Sequence, residues 1–171
     1  MKIGFMSDSH DALDKIEDAI KIFKKYDCKV LFHGGDFVSP FAFKLLKDFG
    51  GPVRAVFGNN EGEKVFIRKI AESFDDLILE DEILITEIEG KRIIMKHRDV
   101  GVNDFAKSQN YDFVFYGHTH KLEIREIYGS IIVNPGECCG YLTGKPTVSI
   151  IDLATKEVKI IDINEEKYGK K

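Results

Sequence analysis

The sequence predicts an α/β fold in which two sheets pack together and helices cover the outside. Three observations carry this expectation. The first part of the chain alternates short apolar runs with stretches of helical period, the pattern of parallel strands joined by right-handed crossovers. The second part is crowded with short strand-like runs and holds two hairpin-type turns, Glu89-Gly90 and Tyr128-Gly129. Residues with chemistry to offer come from both parts, so residues 1–171 are read as one domain whose last few residues fray.

In chain order, Lys2–Met6 reads as a strand. Asp11–Tyr26 places Leu13, Ile16, Ala19, Ile20 and Phe23 on one helical face. Lys29–Phe32 is a short buried strand. Ser39 caps a second helix and Pro40 suits its first turn. Phe41, Leu45, Leu46 and Phe49 form the inner face of that helix, and Gly50-Gly51 stop it. Val53–Phe57 is strand again and Glu63–Ser73 is helix. The remaining strands are Leu77–Leu79, Glu82–Ile88, Lys91–Met95, Phe113–Tyr116, Leu122–Ile127, Ser130–Val133, Thr147–Asp152 and Val158–Asp162, with a helix over Val102–Gln109.

The bulk properties narrow the function classes. A chain of 171 residues buries a real core, and 43% hydrophobic with 32% charged residues fits a soluble globular protein. The net charge is −4 and the basic residues form no stripe, which argues against a partner such as duplex nucleic acid. A phosphate ester remains compatible, because bound cations reverse the local sign. The first apolar run is broken by Ser7-Asp8 and is too short for a signal peptide or a membrane span, so the cytoplasm is the expected location. Cys28, Cys138 and Cys139 are odd in number and lack C-x-x-C spacing; buried or loop thiols are expected rather than a disulfide frame or a zinc ribbon. Gln is nearly absent while Lys and Glu abound, a hint of a heat-adapted source. Exposed sheet edges leave monomer and homodimer both open.

Five apolar runs end in a metal-type side chain. Lys2–Met6 leads to Asp8-Ser9-His10, Lys29–Phe32 to Gly34-Gly35-Asp36, and Val53–Phe57 to Gly58-Asn59. Arg92–Met95 leads to His97, and Phe113–Tyr116 to Gly117-His118-Thr119-His120. Ligands of open α/β sheets collect outside the carboxyl ends of strands. Asp8 and His10, two apart on extended backbone, point the same way and can share one cation. Asp36 has two oxygens and can bridge two cations; Asn59 offers a neutral oxygen ligand. His118 and His120 form a bidentate arm. His33, inside a strand, reads as a packed core histidine. Ser9 and Asp11 read as turn or cap residues, Asn60 and Glu61 as loop or helix-start residues, and Asn134-Pro135-Gly136 as a turn.

Taken in order, Asp8-x-His10, Gly35-Asp36, Gly58-Asn59, His97 and Gly117-His118-x-His120 resemble the motifs of the calcineurin-like metallophosphoesterases, and in particular the small phosphodiesterases of archaea and bacteria. The resemblance implies a four-layer α/β/β/α sandwich of two mixed sheets flanked by helices. It implies Asp8, His10 and His120 on one metal, Asn59, His97 and His118 on a second, and Asp36 bridging both. It also implies in-line attack on a phosphate ester by a hydroxide bridging a dinuclear centre. The mixed donor set suits Mn²⁺ foremost, with Ni²⁺, Zn²⁺, Fe or Mg²⁺ as alternatives. Two positions depart from the family pattern. Asn60 stands where many members have a histidine that assists the leaving group, and Arg98-Asp99 replaces Gly-His after His97. Asp36, Asn59 and Arg98 are therefore the expected catalytic residues, with Asn60 and Arg98 touching substrate. Arg98 reaches a phosphate oxygen or else pairs with Asp99. Two other readings compete: a phosphoaspartyl hydrolase using Asp8, which lacks the usual second carboxylate at position 10, and a catalytically weak or inactive metal-binding scaffold on the same fold.

Overall fold

The structure is a computed structural model that describes residues 1–168; the chain end expected to fray falls outside them. The first sheet begins with β1 (Lys2–Met6), β2 (Val30–His33), β3 (Val53–Val56) and β4 (Leu77–Glu80), all parallel and joined by α1 (Leu13–Lys25), α2 (Pro40–Leu45) and α3 (Lys64–Ala71). The second sheet holds β5 (Ile83–Ile88), β6 (Lys91–Lys96), β7 (Phe113–Phe115), β8 (Leu122–Ile127) and β9 (Ser130–Pro135), with α4 (Val102–Lys107) crossing from β6 to β7. The chain then returns through β10 (Thr147–Asp152) and β11 (Val158–Asp162) to the first sheet, and α5 (Ile163–Tyr168) follows.

The strand orders are β11-β10-β1-β2-β3-β4 and β5-β6-β7-β9-β8. In the second sheet β6, β7 and β9 run parallel while β5 and β8 are antiparallel edges. Both sheets are therefore mixed. Both hairpins close on two positive-φ residues, Glu89 (+51°) with Gly90 (+71°) and Tyr128 (+50°) with Gly129 (+83°), the conformation that matches strand twist.

Alternate residues of the central strands point to different cores, as the two-residue strand period demands. Ile3, Phe5, Val30 and Phe32 meet Met95, Phe113 and Phe115 between the sheets. Met6 and Leu31 face the other way, under α1 and α2 with Ile16, Phe23 and Phe43. Ile94, Val114 and Ile132 receive Val102 and Ala106 of α4 on the far side. The result is the four-layer α/β/β/α sandwich. Phe5 and Phe115 stack across the middle at 4.7 Å between centroids.

The structure corrects several local readings. α1 starts at Leu13 on an Ala12 N-cap with no side-chain bond, and Leu13 is 41% exposed rather than packed. Asp11 instead receives the Ser39 backbone N–H and hydroxyl, tying the head of α2 to the β1 loop. Ser39 caps α2 as expected, its hydroxyl accepting from Ala42 N. α2 tightens into a 3-10 turn at Leu46–Phe49, where Leu46 and Phe49 are buried as expected. Ala42, Phe43 and Leu46 are buried, and Phe41 is 75% exposed. No strand or helix was expected after Asp162, where α5 is found.

Candidate metal centre

Every predicted ligand lies within five residues of the carboxyl end of a parallel strand. The connecting loops turn abruptly: φ is +53° at Asp8, +38° at His10, +56° at Asp36, +66° at His118 and +59° at His120. Such left-handed backbone costs non-glycine residues about 1–3 kcal/mol each, and five of the twelve described non-glycine residues that adopt it belong to this one cluster. Two glycines make the approach possible. A Cβ at Gly117 would lie 2.6 Å from Asp8 Oδ2, and one at Gly58 would lie 2.0 Å from Asp36 Oδ1.

The seven side chains converge. His10 Nε2 is 3.3 Å from His120 Nε2, and His120 Nε2 is 3.5 Å from Asp8 Oδ1. Asp36 Oδ2 stands between two imidazoles, 3.6 Å from His10 Nε2 and 3.4 Å from His97 Nε2. His97 Nε2 is 3.1 Å from Asn59 Oδ1, and His118 meets the His97 ring edge-on at 5.1 Å. Asp8 is fully buried, and its carboxylate accepts from the His118 N–H at 3.0 and 3.2 Å.

Tautomers follow from the partners. His97 Nδ1 faces the Gly34 carbonyl at 2.8 Å and His120 Nδ1 faces Glu137 Oε2 at 2.6 Å. Both partners only accept, so these nitrogens carry the protons. Each Nε2 lone pair then points at other acceptors: Asn59 and Asp36 for His97, Asp8 for His120. Such facing acceptors are satisfied by a proton on Nε2 or by a cation bound between them. Ligand atoms of Asp8, His10 and His120 lie within 4.8 Å of one another, and so do those of Asp8, Asp36 and His97. Imidazoles, carboxylates and an amide held this way fit transition-metal divalent cations.

Burial pushes the Asp8 carboxyl up from its ordinary pKa, with His97 and His120 opposing. Burial acts on Asp36 in the same direction, but His97 and Asn60 outweigh it and hold Asp36 well below the usual carboxylate range. Burial lowers His97, but Asp36, Asp8 and the Gly34 carbonyl together raise it above its ordinary value. His118 is lowered by burial, by His97 and by Arg98. His33 is the packed histidine expected: fully buried, bonded to Ser9 Oγ at 3.0 Å, and lowered by burial to about 3.

Around the ligands stand residues that sequence reasoning valued differently or missed. Asn60 donates to Asp36 twice, from its backbone N–H at 2.8 Å and its amide at 2.7 Å, so it orients the carboxylate between the histidines. Glu61, read as a loop residue, accepts the backbone N–H groups of Asp36, Val38 and Gly58 at 2.7–2.8 Å. It sews the β2 loop to the β3 loop. Glu137 was not singled out at all. It is fully buried and receives His120, the N–H groups of Leu142 and Thr143, and the Thr143 hydroxyl. Burial alone would raise Glu137, but His120 and Thr143 bring it down to about 2. Its signal was available: Asn134-Pro135-Gly136 ends a parallel strand, like the loops that supply the ligands. Arg98 lies beyond the cluster, exposed, on the wall of a cleft beside Asn59 and His97.

The comparisons agree with this geometry. Residues 1–156 match the family model for the calcineurin-like phosphoesterase superfamily domain. A phosphodiesterase of Methanocaldococcus jannaschii is 39% identical over 163 residues, 94% of this chain and 98% of its own length. A probable metallophosphoesterase of Methanothermobacter thermautotrophicus is 28% identical, over 98% of this chain and 88% of that protein. The solved structure of an archaeal phosphodiesterase superposes with a TM-score of 0.90 at 38% identity, covering 95% of this chain and 99% of that one. Motif order, layered fold and converged side chains thus have one explanation: the chain belongs to the calcineurin-like phosphoesterase superfamily.

Proposed function

We propose that this phosphoesterase is a phosphodiesterase that works with two divalent cations, Mn²⁺ foremost. Asp8, His10 and His120 would hold one cation, Asn59, His97 and His118 the other, with Asp36 shared. The observation that carries this reading is Asp36 Oδ2, within 3.6 Å of an imidazole from each set. When bound, such cations supply hydroxide near neutral pH and neutralise the charge of a phosphate undergoing in-line displacement.

The protein's own residues do the rest. Gly34 O and Glu137 set the protons of His97 and His120, so both present Nε2 to the centre. Asn60 holds Asp36 and leaves no imidazole at position 60 to protonate a departing alkoxide. Diesters with good leaving groups should therefore be better substrates than monoesters. Arg98 supplies a cation beside Asn59 and His97 for a phosphate oxygen. The name of the Methanocaldococcus relative supports the diester preference.

The test is hydrolysis of a chromogenic bis-aryl phosphate by purified protein with and without added Mn²⁺. Asp36→Ala and His118→Ala should each lose metal and at least about a hundredfold in kcat/KM together. Full activity in variants that keep their metal would refute the assignment. Arg98→Gly should raise KM; an unchanged KM and substrate preference would remove Arg98 from the substrate's contacts.

A further inference from the structure

A cleft of about 500 Å³ opens beside the metal centre, and it lies to one side. Asn59 and His97 form part of its wall; Asp8, His10 and His120 do not. A phosphate held beside Asn59 and His97 would leave this volume for the group the phosphate carries.

The walls state what that could be. Lys64 opens α3, Lys96 closes β6, and Arg98 follows; all three line the cleft. Lys64 lies over the Phe57 ring at 4.9 Å, and Lys96 donates to Val100 O at 2.6 Å, contacts that place the ammonium groups without neutralising them. Two carboxylates share the lining, Asp81 and Glu82. Asp81 is engaged by Arg68, 2.7 Å away and outside the lining, so Glu82 alone opposes three cations. Ile83, 40% exposed, adds apolar surface. On the cleft wall His97 Nδ1 faces the Gly34 carbonyl, so that nitrogen's proton is not free for a leaving group.

We propose that this cleft is a subsite for the ester arm that stays on phosphorus, and that the arm it favours carries a second anion on an apolar spacer. The inference rests on the phosphodiesterase reading and names the class of diester that reading leaves open.

Two diesters with the same para-nitrophenolate leaving group separate the two ideas. One carries a phenyl group as its second arm and the other a para-sulfophenyl group. Metal-loaded protein should favour the sulfonated diester about tenfold in kcat/KM. Lys64→Ala combined with Lys96→Met should bring that ratio close to one, and Lys64→Glu should invert it. Because the readout is a ratio, general damage to the metal centre cancels. Binding gives a second readout free of turnover: para-phenolsulfonate should shift the backbone amide resonances of Ile83 and Lys96, and less so in Lys64→Ala. Equal rates for both diesters, or a ratio indifferent to Lys64 and Lys96, would overturn the subsite and leave the phosphodiesterase standing. Hydrolysis of neither diester would overturn the phosphodiesterase reading and the subsite with it.

Discussion

Glu137 shows what a residue behind the ligands does. Its carboxylate fixes the His120 proton on Nδ1, so Nε2 is free to bind. Carboxylates placed behind metal-bound histidines typically alter metal affinity by about 10–100-fold. Glu137→Gln should weaken Mn²⁺ binding within that range, with Glu137→Asp intermediate, as read by equilibrium dialysis. Affinity equal to wild type would make Glu137 a loop anchor only. The proposed ligands are legible because chemistry and position coincide: Asp8, Asp36, Asn59, His97 and the His118–His120 pair each follow an apolar strand. Glu137, Glu61 and the orientation of Asn60 were not legible, because their roles depend on which backbone groups the fold brings to them. The three cysteines are free and buried, as composition and spacing implied. Burial pushes the thiols of Cys28 and Cys139 up to about 12. Native protein should resist alkylation at mildly alkaline pH until denaturant is added; rapid labelling of the folded chain would contradict this.

At the scale of elements, strands were easier to read than helices. Central strands announce themselves as apolar runs and edge strands as alternation, and the expected bounds Lys2–Met6, Leu122–Ile127, Thr147–Asp152 and Val158–Asp162 match the strands found. Short helices carry less signal. Of the expected inner face of α2, Leu46 and Phe49 are buried and Leu45 packs against the core, while Phe41, in the first turn, is exposed. α5 has only six residues and follows β11 directly, so it had no turn to announce it. It nevertheless buries Ile163 and brings Lys167 within 2.6 Å of Asp18 on α1. Asp18 is 5% exposed. Burial opposes its charge, but Lys167 and Lys21 outweigh that and lower its pKa below the ordinary 3.8. A depressed carboxylate contributes stability above its unfolded pKa and loses it as pH falls below. Lys167→Ala should cost about 1 kcal/mol near neutral pH. The gap from wild type should close below about pH 3.8, where Asp18 takes up a proton. Denaturant melts of both proteins across that range are the measurement; a pH-independent gap would exclude the ion pair as its cause.

For the molecule as a whole, the two sheets are held face to face by aromatic packing and by the loops that feed the candidate metal centre. Phe115 is fully buried, stacked on Phe5 and edge-on to Phe32 at 5.4 Å. Phe115→Ala should cost about 3–5 kcal/mol, seen as a lower midpoint in urea. The cations, too, should act on the entire fold, since their ligands come from both sheets and the unfolded chain has no such site. At a concentration one hundred times Kd, a ligand of the native state adds about 2.7 kcal/mol. Mn²⁺ should therefore raise Tm and a chelator lower it; an unmoved Tm would mean the site is not filled. The two-sheet architecture was readable because patterning decides it, whereas the pairing of Asp18 with α5 depends on contacts no local pattern carries.

The Glu137 carboxylate also grips the backbone of Leu142 and Thr143, in a stretch where Tyr141 and Leu142 are 65% and 75% exposed. A protease reaching that stretch would sever the strap that keeps Glu137 behind His120. Nicking there should release metal before it unfolds the chain, and bound metal should in turn slow the cut.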